Sequence, residues 1–91
     1  MEKDNFINRP IESTLFSAVE IGDEVYVCEK HMQKIATELS HLTRGTVIQK
    51  LTRHDHPRGI KVKIDISGGN GAYVVGRVVY IKKNGDWITK E

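Results

Sequence analysis

Residues 60–66 read Ile-Lys-Val-Lys-Ile-Asp-Ile, and this stretch decides the fold class. Its apolar residues alternate with charged ones, which is the pattern of a β-strand with one buried and one solvated face. A glycine-rich loop over 67–72 follows, and a β-rich run extends over 73–83. Asn84-Gly85 then predicts a type I′ hairpin, because both residues accept the positive φ angles of that turn. We therefore expect a last strand over 86–90 to pair back onto this run.

Upstream of residue 60, the sequence predicts two more strands with a short helix between them. The first strand follows the turn at 21–23 and alternates Val25 and Val27 with Tyr26 and Cys28. Residues 31–40 carry apolar residues at helical spacing, which predicts a short amphipathic helix that covers one end of the sheet. Strand character returns over 42–51.

Five short strands at close spacing predict an all-β domain, a small SH3-like or KOW-like five-stranded barrel with one short helix. Closure of a barrel removes the unpaired edges that invite aggregation. A chain of 91 residues is expected to be one domain. We place the barrel at 21–91 and an N-terminal extension at 1–20. Within it, we expect residues 1–10 to be flexible, while 11–19 fit a short helix nearly as well as a strand or an irregular segment.

Composition narrows the functional classes. Hydrophobic residues make up 38% and charged residues 29%, which is an ordinary globular balance. The single cysteine, Cys28, excludes an internal disulfide and a cysteine-based zinc cluster within one chain. No apolar run reaches the roughly 18 residues that a membrane span needs, so we expect no membrane contact and a cytoplasmic location. A domain this small has little core to enclose a substrate, which favours a non-enzymatic binding module that needs no cofactor.

The net charge is only +2, but it is unevenly distributed. Residues 1–24 carry six acidic and two basic side chains, whereas residues 25–64 carry eight basic and three acidic ones. Such asymmetry indicates the charge of a partner rather than the fold. One hypothesis is that the acidic N-terminal segment folds over the basic surface and regulates access to it.

Basic residues concentrate in the loop over 52–58 and on the charged face of the strand that follows. Gathered there, these side chains would neutralise phosphates, with a tyrosine stacking on bases, and we expect RNA or a ribonucleoprotein as the partner. The same pattern also fits a solvated strand face that protects a sheet edge. The candidate nucleic-acid-binding residues are Arg44, Arg53, His54, His56, Arg58, Lys61, Lys63 and Arg77.

Other chemistries have weaker support. An apolar groove around Tyr26, Tyr80 and Trp87 would instead make the chain a protein-interaction adaptor. His54 and His56 lack an evident third metal ligand, so a polar turn is the favoured interpretation. A lone cysteine in a strand is usually a small buried apolar residue rather than a nucleophile. The glycine-rich loop lacks the GK[ST] ending of a phosphate-binding loop.

Three glycines, Gly45, Gly59 and Gly76, are predicted to mark bulges, turns or close backbone approaches at the corners of the barrel. Arg44 and Arg77 each neighbour one of these glycines. They would form a shared anion site or pair with Glu24, Asp65 or Asp86, and the sequence does not separate these alternatives.

Four motifs in order resemble the YwbE-like family of small, functionally uncharacterised bacterial proteins. They are Gly22-Asp23-Glu24-Val25, Leu42-Thr43-Arg44-Gly45-Thr46-Val47, His56-Pro57-Arg58-Gly59-Ile60-Lys61-Val62-Lys63 and Val75-Gly76-Arg77-Val78-Val79. The resemblance covers about residues 21–81, and the segment over 31–41 is longer than in the family. It implies a compact cytoplasmic β domain of bacterial or phage origin and supplies no activity.

Overall fold

The structure, a computed structural model, describes residues 9–89. Its sheet has five strands, β1 (Glu24–Glu29), β2 (Thr43–Lys50), β3 (Lys61–Asp65), β4 (Tyr73–Lys83) and β5 (Asp86–Ile88). Neighbours in chain order pair antiparallel, and β1 also pairs with β4. The first four strands therefore close into a barrel, while β5 lies outside it on β4. The predicted all-β, SH3-like barrel is confirmed, with four strands rather than five in the closed wall.

β4 is the longest strand, and it pairs with three other strands. Its first half pairs with β3, its second half pairs with β1, and its last residues also pair with β5. The register changes between Tyr26↔Tyr80 and Val27↔Val78, which leaves Val79 as an extra residue on β4. Such a bulge bends the strand, and a small barrel needs bending to close.

The barrel interior is filled by the apolar residues of the alternating strands. Val62 and Ile64 of β3 are fully buried, whereas Lys61 lies on the outer face. The predicted two-faced strand is therefore confirmed over Lys61–Asp65, whereas Ile66, predicted on the buried face, lies after the strand and is 45% exposed. The interior cluster consists of Val19, Val25, Val27, Val47, Ile60, Val62, Ile64, Val78 and Ile81.

The segment over 30–42 covers part of the outer face of β1 and β4. Ala36 and Leu42 pack there with Cys28 and Val79, with Met32 against this second cluster. Cys28 is 3% exposed, so its interpretation as a small buried apolar residue is confirmed.

The predicted helix over 31–40 is wrong. The segment forms 3-10 turns at Lys30–Met32 and Leu39–His41, separated by an irregular stretch. Of its apolar residues, Ile35 is 62% exposed and Leu39 is 49% exposed. A helix of ten residues needs a fully buried apolar face to be stable, and this segment buries only part of that face.

The extension packs on the barrel from Arg9 onward. Residues 11–18 form two 3-10 turns, Ile11–Thr14 and Phe16–Ala18, so the irregular alternative is realised. The carbonyl of Ser13 accepts a hydrogen bond from the Ile60 amide at 2.9 Å, and Val19 belongs to the barrel core. The predicted flexible arm over 1–10 lies outside the described residues except for its last two, Arg9 and Pro10, which are buried.

The hairpin between β4 and β5 has the predicted turn. Asn84 and Gly85 have φ angles of 53° and 84°, as a type I′ turn requires. The last strand begins at the predicted residue and ends at Ile88, before Thr89, while residue 90 of the predicted strand lies outside the described residues. Over the described part of the chain, no helix is long and apolar enough to cross a membrane.

Candidate functional site

A concave basic pocket of about 260 Å³ lies on the outer face of the barrel, where β3, β4 and the end of β1 meet. Four of its seven lining residues are cationic, and none of those described is acidic. We call this the basic pocket. It is lined by Lys30, Gln33, Arg58, Lys61, Val75, Gly76 and Arg77.

The sheet register places the cations of the basic pocket side by side. Lys61 on β3 is the direct partner of Arg77 on β4, and both lie on the outer face. Arg77 is also opposite Cys28 of β1, two residues before Lys30. The Nη1 of Arg77 donates a hydrogen bond to the Gly59 carbonyl at 3.2 Å, which fixes the guanidinium at the pocket wall.

A tight turn presents Arg58 to the basic pocket. The Gly59 amide donates to the His56 carbonyl at 3.0 Å, and the Arg58 amide donates to His56 Nδ1 at 3.1 Å. The extension anchors this turn, because the Thr14 carbonyl accepts from the His56 amide at 2.9 Å and Arg9 donates to the Arg58 carbonyl. The conformation of Arg58 therefore depends on residues far away in the sequence.

The pKa of His56 reflects the positive charges that surround it. Its pKa is lowered first by burial, and then by repulsion from Arg77, His54, Arg58 and Arg9. The ring is therefore mainly neutral at pH 7, with Nδ1 accepting the Arg58 amide proton. His56 supports the turn, while the surrounding arginines carry the positive charge.

The structure gathers most of the predicted binding residues and separates one of them. Arg58, Lys61 and Arg77 line the basic pocket itself. Lys63 is the next outward residue of β3, opposite the lining residue Val75, with its Nζ 5.1 Å from the ring of Tyr73. Arg53 and His54 are both exposed in the loop between β2 and β3.

Arg44 is the exception. It lies on β2, where it forms an ion pair with Glu24 and its guanidinium is 5.4 Å from the centre of the Trp87 ring. Of the alternatives that the sequence left open, the pairing of Arg44 with Glu24 is confirmed. Arg77 takes a different partner, the Gly59 carbonyl.

Lys30 and Gln33 belong to the basic pocket but were not predicted from the sequence. Lys30 directly follows β1, and it reaches the pocket because β1 pairs with β4 (Glu29↔Gly76). A basic residue at a strand end is a weak signal by itself. It becomes informative only once the closure of β1 onto β4 is known.

Three of the four acidic residues described in the N-terminal segment pair with cations outside the basic pocket. Lys83 binds Asp23 at 2.7 Å and Glu20 at 3.0 Å, while Glu24 pairs with Arg44 and lies 3.8 Å from Lys82. These three carboxylates therefore do not cover the basic pocket, although Glu24 does pair with Arg44 of the predicted basic surface. Regulation of access by the acidic segment stays a prediction. Residues 1–8 lie outside the described part of the chain.

Three aromatic residues form a second pocket on the outer face, which we call the aromatic pocket. Tyr26 lies 4.8 Å from Trp87 and 6.5 Å from Tyr80 between ring centres, the latter pair nearly perpendicular. With Leu39 and Thr89, these rings enclose about 340 Å³. The predicted proximity of Tyr26, Tyr80 and Trp87 is therefore confirmed.

The structure bears on two other kinds of site considered from the sequence, a metal site and a phosphate-binding loop. Within 9–89, no group of three or more histidine, cysteine, aspartate or glutamate residues is placed to hold a metal ion. In the glycine-rich loop, Asp65 accepts from the amides of Ser67 and Gly69, and the Ser67 hydroxyl accepts from those of Asn70 and Ala72. These four amides bind within the loop, which matches its interpretation as a hairpin connection rather than a phosphate cradle.

Comparison with known proteins places the chain in a family. No curated protein and no solved structure shows significant similarity to it. A family model described as "Uncharacterized conserved protein (DUF2196)" matches residues 12–81, which include all four strands of the barrel wall except the last two residues of β4. The matched range begins in the extension and contains the residues that form the basic pocket. The chain belongs to this uncharacterised conserved family, DUF2196.

Proposed function

We propose that the chain is a non-enzymatic RNA-binding module that holds phosphate groups in the basic pocket. The observation that carries this proposal is the convergence of Lys30, Arg58, Lys61 and Arg77 around one concavity with no described acidic lining residue. A protein that only needed a solvated surface would tend to intersperse the two signs of charge.

The chemistry of the lining residues fits phosphate. Arginine offers a planar fork of donors that matches phosphate oxygens, and lysine adds a mobile point charge. The Gln33 amide adds a neutral donor at the rim. Binding of several phosphates releases condensed counterions, which gives affinity without sequence specificity. Lys63, opposite the lining residue Val75, adds a further cation beside the pocket on β3.

The same residues support a binding function rather than an enzymatic one. Cations and an amide bind an anion, whereas covalent catalysis requires a nucleophile activated by an adjacent base. Cys28 is buried under Ala36 and Leu42, and the Nδ1 of His56 is used by the Arg58 amide. The cations and the Gln33 amide, by contrast, line the basic pocket and can bind an anion without a further reactive group.

The likeness to the YwbE-like proteins, the origin of the chain and its location are also part of the proposal. The four motifs that resemble the YwbE-like proteins fall within the matched residues 12–81, which supports placing the chain with those members of the family. A bacterial or phage origin and a cytoplasmic location follow from that resemblance as predictions.

A protein-interaction adaptor that uses the aromatic pocket is the rival function. The rings of Tyr26, Tyr80 and Trp87 line a mainly apolar cavity, which is the observation in its favour. The basic pocket is not explained by that function, because a neutral peptide groove needs no cluster of four cations. The RNA-binding proposal accounts for the more unusual feature of the surface.

The experiment is a salt titration of RNA binding, measured by fluorescence anisotropy of a labelled mixed-sequence single strand. Lys30→Gln and Lys61→Gln each remove one cation from the basic pocket. Each is expected to weaken binding several-fold and to reduce the slope of log affinity against log salt by about 0.7, the value for one phosphate contact on a single strand.

Lys83→Gln is the matched control. It also removes one lysine charge, but that ammonium already binds Asp23 and Glu20, so affinity and slope should stay close to those of the original protein. Equal losses for all three variants would show a general charge effect and overturn the role of the basic pocket. The absence of binding at low salt would overturn the function itself.

A further inference from the structure

The basic and aromatic pockets share one strand and one covering segment. Arg77 lines the first and Tyr80 the second, and both point outward from β4. They are three positions apart along the strand, which corresponds to about 10 Å. The segment over 30–42 borders both, with Lys30 at one pocket and Leu39 at the other. Val79, between them on β4, is buried under Ala36 and Leu42, so one ligand that crosses the surface of this segment would meet both pockets.

The aromatic pocket presents three aromatic rings to one cavity. Tyr26 and Tyr80 stand nearly perpendicular, and Trp87 is tilted by 46° against Tyr26, so the rings present faces and edges to the same cavity. Its volume of about 340 Å³ lies in the range of small-molecule sites. Leu39 adds an apolar wall that is 49% exposed. An aromatic ring in this cavity would be contacted by stacking and by ring edges.

Two cations flank Trp87 beside the aromatic pocket, and one carboxylate pairs with them. Arg44 lies over Trp87, and Lys82 is the strand partner of Trp87. Glu24 is the carboxylate that pairs with Arg44 and lies 3.8 Å from Lys82. The cluster of four cations lies in the basic pocket, so complementary charge selects an anionic group there. A nucleotide unites a planar base with a negatively charged phosphate.

We infer that the chain binds RNA as a single strand, with phosphates in the basic pocket and one unpaired base stacked in the aromatic pocket. This inference rests on the proposed function and names its substrate class. Bases in a duplex are stacked on each other and cannot enter the cavity, whereas unpaired bases stack readily on protein aromatic rings.

Trp87 provides a direct readout, because it is the only tryptophan in the chain. Its intrinsic fluorescence is recorded while the protein is titrated with an unlabelled eight-nucleotide single strand, with inorganic polyphosphate, or with duplex RNA. The single strand should quench Trp87. Polyphosphate, which has charge but no bases, should bind and displace labelled RNA without quenching, and duplex RNA should leave Trp87 unchanged.

Two tyrosine variants locate the base. Tyr80→Leu keeps an apolar side chain but removes a ring of the aromatic pocket, and it should weaken single-strand binding about tenfold while polyphosphate affinity stays the same. Tyr73→Leu is the control, because Tyr73 lies on the same strand, 49% exposed, but beside Lys63 and outside the aromatic pocket. It should leave the quenching of Trp87 intact.

The outcomes separate this inference from the proposed function. If neither RNA nor polyphosphate binds, the proposed function fails and the inference fails with it. If both bind without quenching of Trp87, and Tyr80→Leu binds normally, the basic pocket stands and the base site is overturned. A fluorescence change on raising the protein concentration alone would identify a second copy of the chain as the occupant, and it would also overturn the base site.

Discussion

Three glycines of the sequence motifs stand at positions where a side chain has no room. A Cβ on Gly45 would lie 2.6 Å from the Asp65 carbonyl oxygen, and one on Gly76 would lie 2.8 Å from that of Cys28. Gly59 combines a φ of +96° with a carbonyl, that of Val78, against the position of the missing Cβ. The strands of this narrow barrel cross so closely that backbone meets backbone at these points.

Gly59→Ala should therefore be strongly destabilising, by about 3 kcal/mol, because backbone strain adds to a steric collision. Gly22→Ala is the matched control. Gly22 has nearly the same φ of +97°, but nothing lies within 4 Å of its missing Cβ, so only the backbone strain of about 1 kcal/mol applies. Urea denaturation of both variants measures the difference. If both variants lost the same free energy of unfolding, the contact with the Val78 carbonyl would add nothing to the backbone strain.

At the residue scale, the sequence predicted more about the fold than about the site. The glycine motifs and the alternation around Lys61 and Lys63 are local patterns, and the structure has them as predicted. The neighbourhood of Lys30 and Arg77 is not local, because it depends on the pairing of β1 with β4. Arg44 was grouped with the pocket on its motif, although the register places it opposite Tyr26.

Among the elements, the loop over 66–72 is organised by one carboxylate. Asp65 accepts hydrogen bonds of 2.8 Å from the Ser67 amide, the Ser67 hydroxyl and the Gly69 amide. These bonds, chiefly those from Ser67, lower the pKa of Asp65 below its usual value. A carboxylate with a depressed pKa in the folded state stabilises the fold above its unfolded pKa, near 3.9, and this contribution is lost as the pH falls through the lower, folded pKa.

Asp65→Asn should lower the free energy of unfolding at pH 7. Below pH 4, the variant should lose less stability on further acidification than the original protein does. The amide cannot reproduce the three charge-assisted acceptor bonds, and it does not titrate in that window. Guanidinium denaturation at pH 7 and pH 3 measures both effects. Asp86→Asn, an exposed residue of the β4–β5 hairpin, is expected to keep the acid sensitivity of the original protein. Identical pH profiles for Asp65→Asn and the original protein would contradict the assignment.

The strands and the covering segment differ in how far the sequence determines them. Strict alternation over five to eight residues admits one conformation and one buried face, so β3 could be predicted nearly to the residue. The segment over 30–42 has helical spacing, but only Ala36 and Leu42 are buried among its apolar residues. Its conformation follows from the surface of Cys28 and Val79 beneath it, which local spacing does not reveal.

At the scale of the whole molecule, the uneven charge of the sequence becomes a division of the surface. Glu20, Asp23 and Glu24 neutralise Lys83, Lys82 and Arg44 around the β4–β5 end of the sheet. The four cations of the basic pocket have no acidic neighbour among its described lining residues. A small net charge of +2 therefore coexists with one strongly positive region, and a positive region of this kind steers an anionic partner toward it.

The extension is an integral part of this molecule rather than an appendage, and Val19 tests that statement. Its side chain is fully buried in the barrel core, while Ile11 of the same segment is 65% exposed. Val19→Ala should cost about 2 kcal/mol, between the usual losses for Ile→Val and Leu→Ala, because it leaves a cavity in a small core. That loss corresponds to a fall of about 8–16 °C in Tm for a domain of this size.

Ile11→Ala is the control in the same segment, and its effect should stay within about 0.5 kcal/mol. Thermal unfolding followed by circular dichroism compares the two variants with the original protein. Because the Thr14 carbonyl holds the His56 turn, Val19→Ala should also raise the hydrogen exchange rate of the His56 amide, whereas Ile11→Ala should not. A neutral Val19→Ala would show that the barrel folds without the extension, and that Arg58 is positioned by the barrel alone.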